Sequence, residues 1–253
     1  MIFHIPHSST YIPEDHRRVY KISADQLHQL MISMTDTFTD ELFGAHTAPG
    51  DYKIVFPVSR LVLDPERFLN DQEEPMAEIG MGVIYTRTSD GELLRDVPQE
   101  EERQDLIRRY YVPHHQTLTR AVDDELQTTG NTLIIDCHSF PSRPLPYEKD
   151  QDPYRPDICV GVDTFHSPPE LCKAVQGLIH LAGWTCEVNR PFSGSIVPMN
   201  YFQKDSCVYS IMIEVNRRLY MDEVTGEKSA FYSDCQRHLG SILTGLHRFF
   251  QTL

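Results

Sequence analysis

Apolar positions along the chain fall into two rhythms. Short segments rich in Ile, Val and Phe read as strands. Longer stretches with apolar residues every three to four positions read as helices. Residues 2–5 predict a short strand that enters the loop PHSSTYIPED. The stretch 24–46 predicts a helix, interrupted around Thr35–Thr39. YKIVFPVSRLVLD (52–64) predicts one or two strands broken around Pro57, because proline cannot donate to a ladder. GVIYTRT (82–88) predicts another strand, closed by the Asp90-Gly91 turn signal.

Residues 98–127 give the clearest helix. Pro98 and the acids of QEEE suit a first turn, and Leu106, Tyr110, His114 and Leu118 recur in steps of four. Pro113 should kink or divide it. Strands at 132–137, 157–162, 184–188 and 208–215 alternate with a proline-rich loop 141–156, a helix from Pro168 to about Ala182, a loop 189–200 and a C-terminal helix 228–252. Strands that alternate with helices predict an α/β fold: one three-layer domain over residues 1–253, with a central mixed, mostly parallel sheet.

Composition narrows the function. The chain has 253 residues and a formal charge of −14, so a nucleic acid or an anionic membrane is an unsuitable partner. Six widely spaced cysteines without a C-x-x-C pair suggest free thiols in a reducing compartment. No basic leader and no apolar run of roughly 18–20 residues is present, so a cytoplasmic location is expected.

Ligands in such sheets collect beyond the carboxyl ends of strands. Three polar clusters fall there: His7 in IPHSS, Asp136 and His138 in IIDCHSF, and Glu214 in SIMIEVNRR. Each has a plainer reading. His7 could be a surface histidine, His138 a core histidine bonded to backbone, and Glu214 the partner of Arg217 or Arg218. Together, two histidines and acids at strand ends suit a mononuclear metal site with a glutamate beside it as general base. Ser139 lies outside any G-x-S-x-G elbow, so a serine nucleophile is poorly supported.

With those residues in place, the sequence resembles the N-formylglutamate amidohydrolase family of zinc-dependent hydrolases, which remove a formyl group in histidine degradation. The matching pieces are PHSS, DTFTDELF, SRLVLDPERF, GVIYTRTSDGELLR, YYVPHHQTL, IIDCHSF, NRPFSGS and IEVNRRLY, in family order from residue 6 to about 220. The D-x-H-S and Glu elements are also similar to zinc carboxypeptidases and aspartoacylases, which implies a zinc-exopeptidase-like fold.

The resemblance implies one zinc per chain held by His7, an acid and His138. The acid is Asp36, with Asp40 as second choice; a cap role for Asp36 is the alternative. Position 10 is Thr10, so the compact H-x-x-E ligand pair of carboxypeptidases is absent. The same donors would also suit Mn, Fe or Co. Glu214 would be the general base, and Asp136 would support His138 from behind. The implied substrate is a small anionic N-acyl amino acid, N-formyl-L-glutamate first. Arg60, Arg67, Asn189 and Arg190 are the candidates for binding it, because arginine suits bidentate carboxylate recognition. His115 is a further candidate, for substrate or oxyanion, with packing on its own helix as the alternative. PERF stands where the family carries an asparagine-arginine pair, so a related carboxypeptidase, a deacylase with another substrate, or a non-catalytic binding protein remain alternatives.

Overall fold

A computed structural model describes residues 1–252, so Leu253 of the expected 1–253 unit lies outside the described residues. Its elements in chain order are β1 (Ile2–Ile5), α1 (Glu14–Arg17), α2 (Ala24–Met34), α3 (Thr39–Leu42), β2 (Tyr52–Val55), α4 (Glu100–Leu106), α5 (Val112–Thr129), β3 (Thr132–Phe140), β4 (Ile158–Gly161), α6 (Pro169–Leu181), β5 (Cys186–Val188), β6 (Val208–Asn216) and α7 (Tyr232–Phe250). The six strands form one sheet in the order β2-β1-β3-β6-β4-β5. Neighbours are parallel except β4, which runs antiparallel to β6. The mixed, mostly parallel α/β sheet expected from the sequence is therefore present.

Burial on both faces explains why the central strands read as apolar runs. On one face Phe3, Ile5, Ile135, Ile211 and Ile213 meet Leu171 and Val175 of α6 and Leu239 and Leu243 of α7. On the other, Ile2, Ile134 and Val208 meet Leu118, Ala121 and Val122 of α5. The chain leaves β1 towards β2 on one side, while β3 pairs on the other. Loops after β1 and β3 thus diverge, which opens a crevice at their carboxyl ends.

Several elements differ from the sequence expectation. The helix at 98–127 divides into α4 and α5 through a π-helical segment, Ile107–Tyr111, placed immediately before Pro113. Pro113 has no N–H to give a regular ladder, and the wide turn absorbs the mismatch. GVIYTRT is not a strand: the amides of Thr86 and Arg87 donate to Gly80 O, and only Arg87 and Leu93 form an isolated bridge. Its Val83, Ile84 and Tyr85 are buried all the same, as a lid over the loop that follows β2. The run 52–64 is a strand only to Val55; beyond Pro57 it turns, with the Val62 amide on Ser59 O. β3 extends past its predicted end at residue 137, so His138 lies within the strand rather than after it, while Glu214 lies inside β6 as the 208–215 bounds had it.

Candidate active site

Strand register builds the centre of the site. His4 of β1 lies opposite Asp136 of β3, and His138 of β3 lies opposite Glu214 of β6. Partners in register, and every second residue along a strand, share a face, so these four project from the α5 side of the sheet. His7 follows β1 directly, and the amide of Asp36 donates to His7 O at 3.0 Å. That bond ties the turn after α2 to the turn after β1.

His7, Asp36 and His138 come together, each buried and each offering a donor atom within 4.8 Å of the others. Asp36 Oδ2 lies 3.2 Å from His138 Nδ1 and 3.7 Å from His7 Nδ1. Asp40, the second choice among the acids, sits on α3 outside this group. The Nε2 edges of both rings are turned to acids: His7 Nε2 to Asp64 Oδ1 at 2.9 Å, and His138 Nε2 to Asp136 Oδ1 at 3.0 Å. Those contacts leave the Nδ1 edges facing Asp36, and His7 Nδ1 is buried with no hydrogen-bond partner. An imidazole oriented by a carboxylate from behind is the usual surrounding of a metal ligand.

The electrostatics point the same way. Burial opposes ionisation of Asp36, but His138, His7 and Arg217 outweigh it and hold the carboxyl well below its ordinary range. Burial likewise opposes a charge on His138, yet Glu66 and Asp136 push it well above the histidine range. Four carboxylates, Asp36, Asp64, Asp136 and Glu66, surround the two histidines; Arg60 and Arg67 pair with Asp64 and Arg217 pairs with Asp36. Asp136 and Glu66 are left to the imidazoles, and the positive charge that His138 takes up in their field is one that a bound cation would replace. Two imidazoles and a carboxylate suit a transition metal such as zinc rather than calcium or magnesium, so the residues present fit such an ion.

Glu214 is 6% exposed, and its Oε2 is buried without a partner. Burial pushes its carboxyl up to about 8, against the pull of His138. Arg217, which could have neutralised it, instead donates to Asp36 Oδ1 at 2.9 Å and to Ser139 Oγ at 3.2 Å. A buried carboxyl free of an ion pair beside a cation-binding cluster is equipped to take up and return a proton.

The remaining candidates are distributed unevenly. Arg60 donates to Asp64 Oδ2 at 2.8 Å and to Tyr85 OH at 3.2 Å, and Arg67 lies 3.8 Å from the same carboxylate with a buried, unpartnered Nε. Both arginines therefore flank the site while sharing one acid. Arg190 pairs with Asp150, Asp152 and Glu187 and stays partly exposed. Asn189 shapes its loop, its Oδ1 accepting from the amides of Val162 and Gly194. His115 Nε2 is fixed on Pro65 O at 2.8 Å, and the ring lines a cleft of about 390 Å³ with Leu69, Tyr111 and Asn200.

Residue-by-residue reading passed over Asp64, Glu66, His4 and His114. Glu66 is the one that faces the centre: its Oε2 lies 3.3 Å from His138 Nε2 and 3.8 Å from His7 Nε2. Among the described residues no lysine or arginine pairs with it.

With this geometry in view, comparisons with known proteins place the chain. Among solved structures, N-formylglutamate amidohydrolase from Ralstonia eutropha JMP134 superposes with a TM-score of 0.85 at 25% identity, covering 100% of this chain and 94% of that one. A gene product of Agrobacterium tumefaciens shares the fold with a TM-score of 0.60 at 20% identity, over 98% and 91% of the two chains. A search of curated protein sequences gives no match. The family model for N-formylglutamate amidohydrolase matches residues 1–221, and the chain belongs to that family.

Proposed function

We propose that the protein is a zinc-dependent amidohydrolase that cleaves N-formyl-L-glutamate to formate and glutamate. The observation that carries this reading is the convergence of His7, Asp36 and His138, with an unpartnered His7 Nδ1 and the unpaired carboxyl of Glu214 beside it. His7 Nδ1, His138 Nδ1 and Asp36 Oδ2 would hold the ion, which when bound supplies a Lewis acid for the scissile carbonyl and lowers the pKa of an attacking water.

The chain's own groups do the rest. Glu214 Oε2 accepts the proton of the attacking water and returns it to the departing amine, a shuttle worth roughly 10²–10⁴ in rate. Asp64 and Asp136 accept N–H from the Nε2 edges of His7 and His138 and so fix both rings. Arg217 holds Asp36 from its far oxygen and keeps it ionised. Arg67, with its unpartnered Nε, is the binding group for a substrate carboxylate.

Glu66 favours a second reading, in which the substrate is another small N-acyl amino acid. A carboxylate with no guanidinium of its own beside the site disfavours a second anion there and favours an N–H donor. Formate or acetate release across a panel of N-formyl and N-acetyl amino acids tests both readings. The first expects N-formyl-L-glutamate to have the highest kcat/KM. Turnover of a different acyl compound with none of N-formylglutamate would sink the first reading and leave the second.

A further inference from the structure

The metal-site reading uses Asp136 as the support of His138, but Asp136 does not end the chain of contacts. His4 Nδ1 lies 2.8 Å from the same Asp136 Oδ1, and His4 Nε2 lies 2.8 Å from His114 Nε2. His114, His4, Asp136 and His138 thus form one line of hydrogen bonds from α5 through β1 and β3. All four are buried. A histidine in the middle of an IFHI strand is an expensive choice, since a buried polar atom left unpaired costs about 1–3 kcal/mol. Both ring nitrogens of His4 are hydrogen-bonded within this line, and Glu66 Oε1 lies farther off, 3.8 Å from Nδ1.

The same atoms do not suit a second cation. His4, Glu66 and Asp136 could in principle hold one. However, Asp136 Oδ1 already lies between two imidazoles, and Asp136 Oδ2 accepts the Ile196 amide at 3.1 Å. A metal would have to displace three hydrogen bonds from an acid whose acceptor positions they satisfy. The line is a hydrogen-bond assembly.

Its direction follows from acceptor chemistry. An ionised carboxylate only accepts, so both rings at Asp136 Oδ1 must donate: His138 from Nε2 and His4 from Nδ1. A neutral His138 then has a bare Nδ1 towards Asp36. A neutral His4 has a bare Nε2, which His114 fills with its own Nε2–H. Burial pushes His114 down to about 2, with His4 and His115 adding to the effect, so that ring is a neutral single donor. The helix is built to deliver it. The π segment Ile107–Tyr111 adds one residue to the turn before α5, which rotates the following face by about 100°. His114 then lies edge-on to Phe56, 5.1 Å between ring centres, and reaches His4.

We infer that His4 and His114 are positioning residues for the metal site: through Asp136 they lock the tautomer and orientation of His138 that leave its Nδ1 free to ligate. The inference rests on His7, Asp36 and His138 being a metal site, and it extends that site by two shells to a helix on the sheet's outer face.

The test starts from the zinc-loaded full chain and measures zinc retention against a chelator of known affinity. Two pairs of variants separate donor chemistry from packing. His4→Leu and His114→Leu fill space without an N–H, whereas His4→Asn keeps a donor near Nδ1 and His114→Gln keeps one near Nε2. The Leu variants are expected to lose zinc about 10–100-fold more readily, and the Asn and Gln variants to recover most of that loss. Leu variants that hold zinc as wild type does, or Asn and Gln variants no better than Leu, would overturn the inference. Long-range ¹H–¹⁵N spectra of the zinc-loaded wild-type imidazoles decide the matter if a variant fails to fold: the tautomers must be Nδ1–H at His4, Nε2–H at His114 and Nε2–H at His138. A bare Nδ1 at His4 overturns it. A wild-type chain that takes up no zinc defeats the metal reading itself and is recognised separately, with the His4 and His114 tautomers still deciding the hydrogen-bond line.

Discussion

Replacement of Glu214 by Gln should inactivate the enzyme and stabilise its metal-free fold at once. Glu214 is held at about 8 against an ordinary value of 4.5, because burial penalises its charge. The folded state therefore binds more protons than the unfolded state between pH 4.5 and 8, and stability falls as pH rises through that window. At about 1.4 kcal/mol per pH unit, the penalty near pH 8 is on the order of 4 kcal/mol. Gln removes the charge but brings an amide whose buried N–H groups need partners, a cost of about 1–3 kcal/mol. The net gain at pH 8 is about 1–3 kcal/mol, or roughly 2–12 °C in Tm for a chain of this size. At pH 4.5 the carboxyl is protonated in the folded state and half protonated in the unfolded one, so the charge penalty is gone and the amide's cost leaves the variant no more stable than wild type. Thermal unfolding of metal-free wild type and E214Q across pH 4.5–8, with formate release measured on the zinc-loaded forms, checks both halves. A variant less stable than wild type at pH 8, or a stability difference independent of pH, would refute the burial argument. Activity within tenfold of wild type would refute the proton shuttle.

Three further outcomes are expected. His138→Ala should abolish binding of about one zinc per chain, read by elemental analysis of dialysed protein, and wild-type zinc affinity should fall with pH because the proton held on His138 by Glu66 and Asp136 must leave first. Arg155→Met should destabilise by about 3–5 kcal/mol in urea unfolding, because it strands the buried Glu148 that Arg155 pairs with, while adding Glu148→Gln should restore much of the loss. Glu66→Asn should change KM more than kcat and reorder preferences across the N-acyl panel; an unchanged order would remove Glu66 from substrate selection.

How much of this was legible follows from what each residue needs from its surroundings. The runs IFHI, TLIIDCHSF and VYSIMIEVN announce strands because both faces of the central sheet are covered, and that pattern survives in the sequence. The antiparallel turn of β4 leaves no such trace, since a four-residue apolar strand looks alike in either direction. GVIYTRT has strand composition, yet its side chains are buried by lying across the core rather than by pairing, and propensity cannot separate the two. At the site, His7, Asp36 and His138 were readable from clustering and resemblance. Arg190 was singled out from its glycine-containing loop; its pairing with Asp150, Asp152 and Glu187 leaves no local trace, because two of those acids are distant in sequence and one lies on β5. Asp64 and Glu66 went unassigned although both sit inside the SRLVLDPERF block. The available signal was an acid ending an apolar run, as Glu214 ends another. His4 offered the same kind of signal, a polar residue inside an apolar strand, and His114 depends on a π turn that only coordinates reveal.

The central claim is that a bound divalent ion, with Glu214 beside it, hydrolyses an N-formyl amide. The direct measurement is formate release from N-formyl-L-glutamate by one protein sample before chelation, after chelation and after zinc is returned. The account predicts formate and glutamate in equal amounts, loss of turnover with the metal, and recovery at about one zinc per chain. Undiminished turnover by the chelated protein, or none by the zinc-loaded protein, would contradict it.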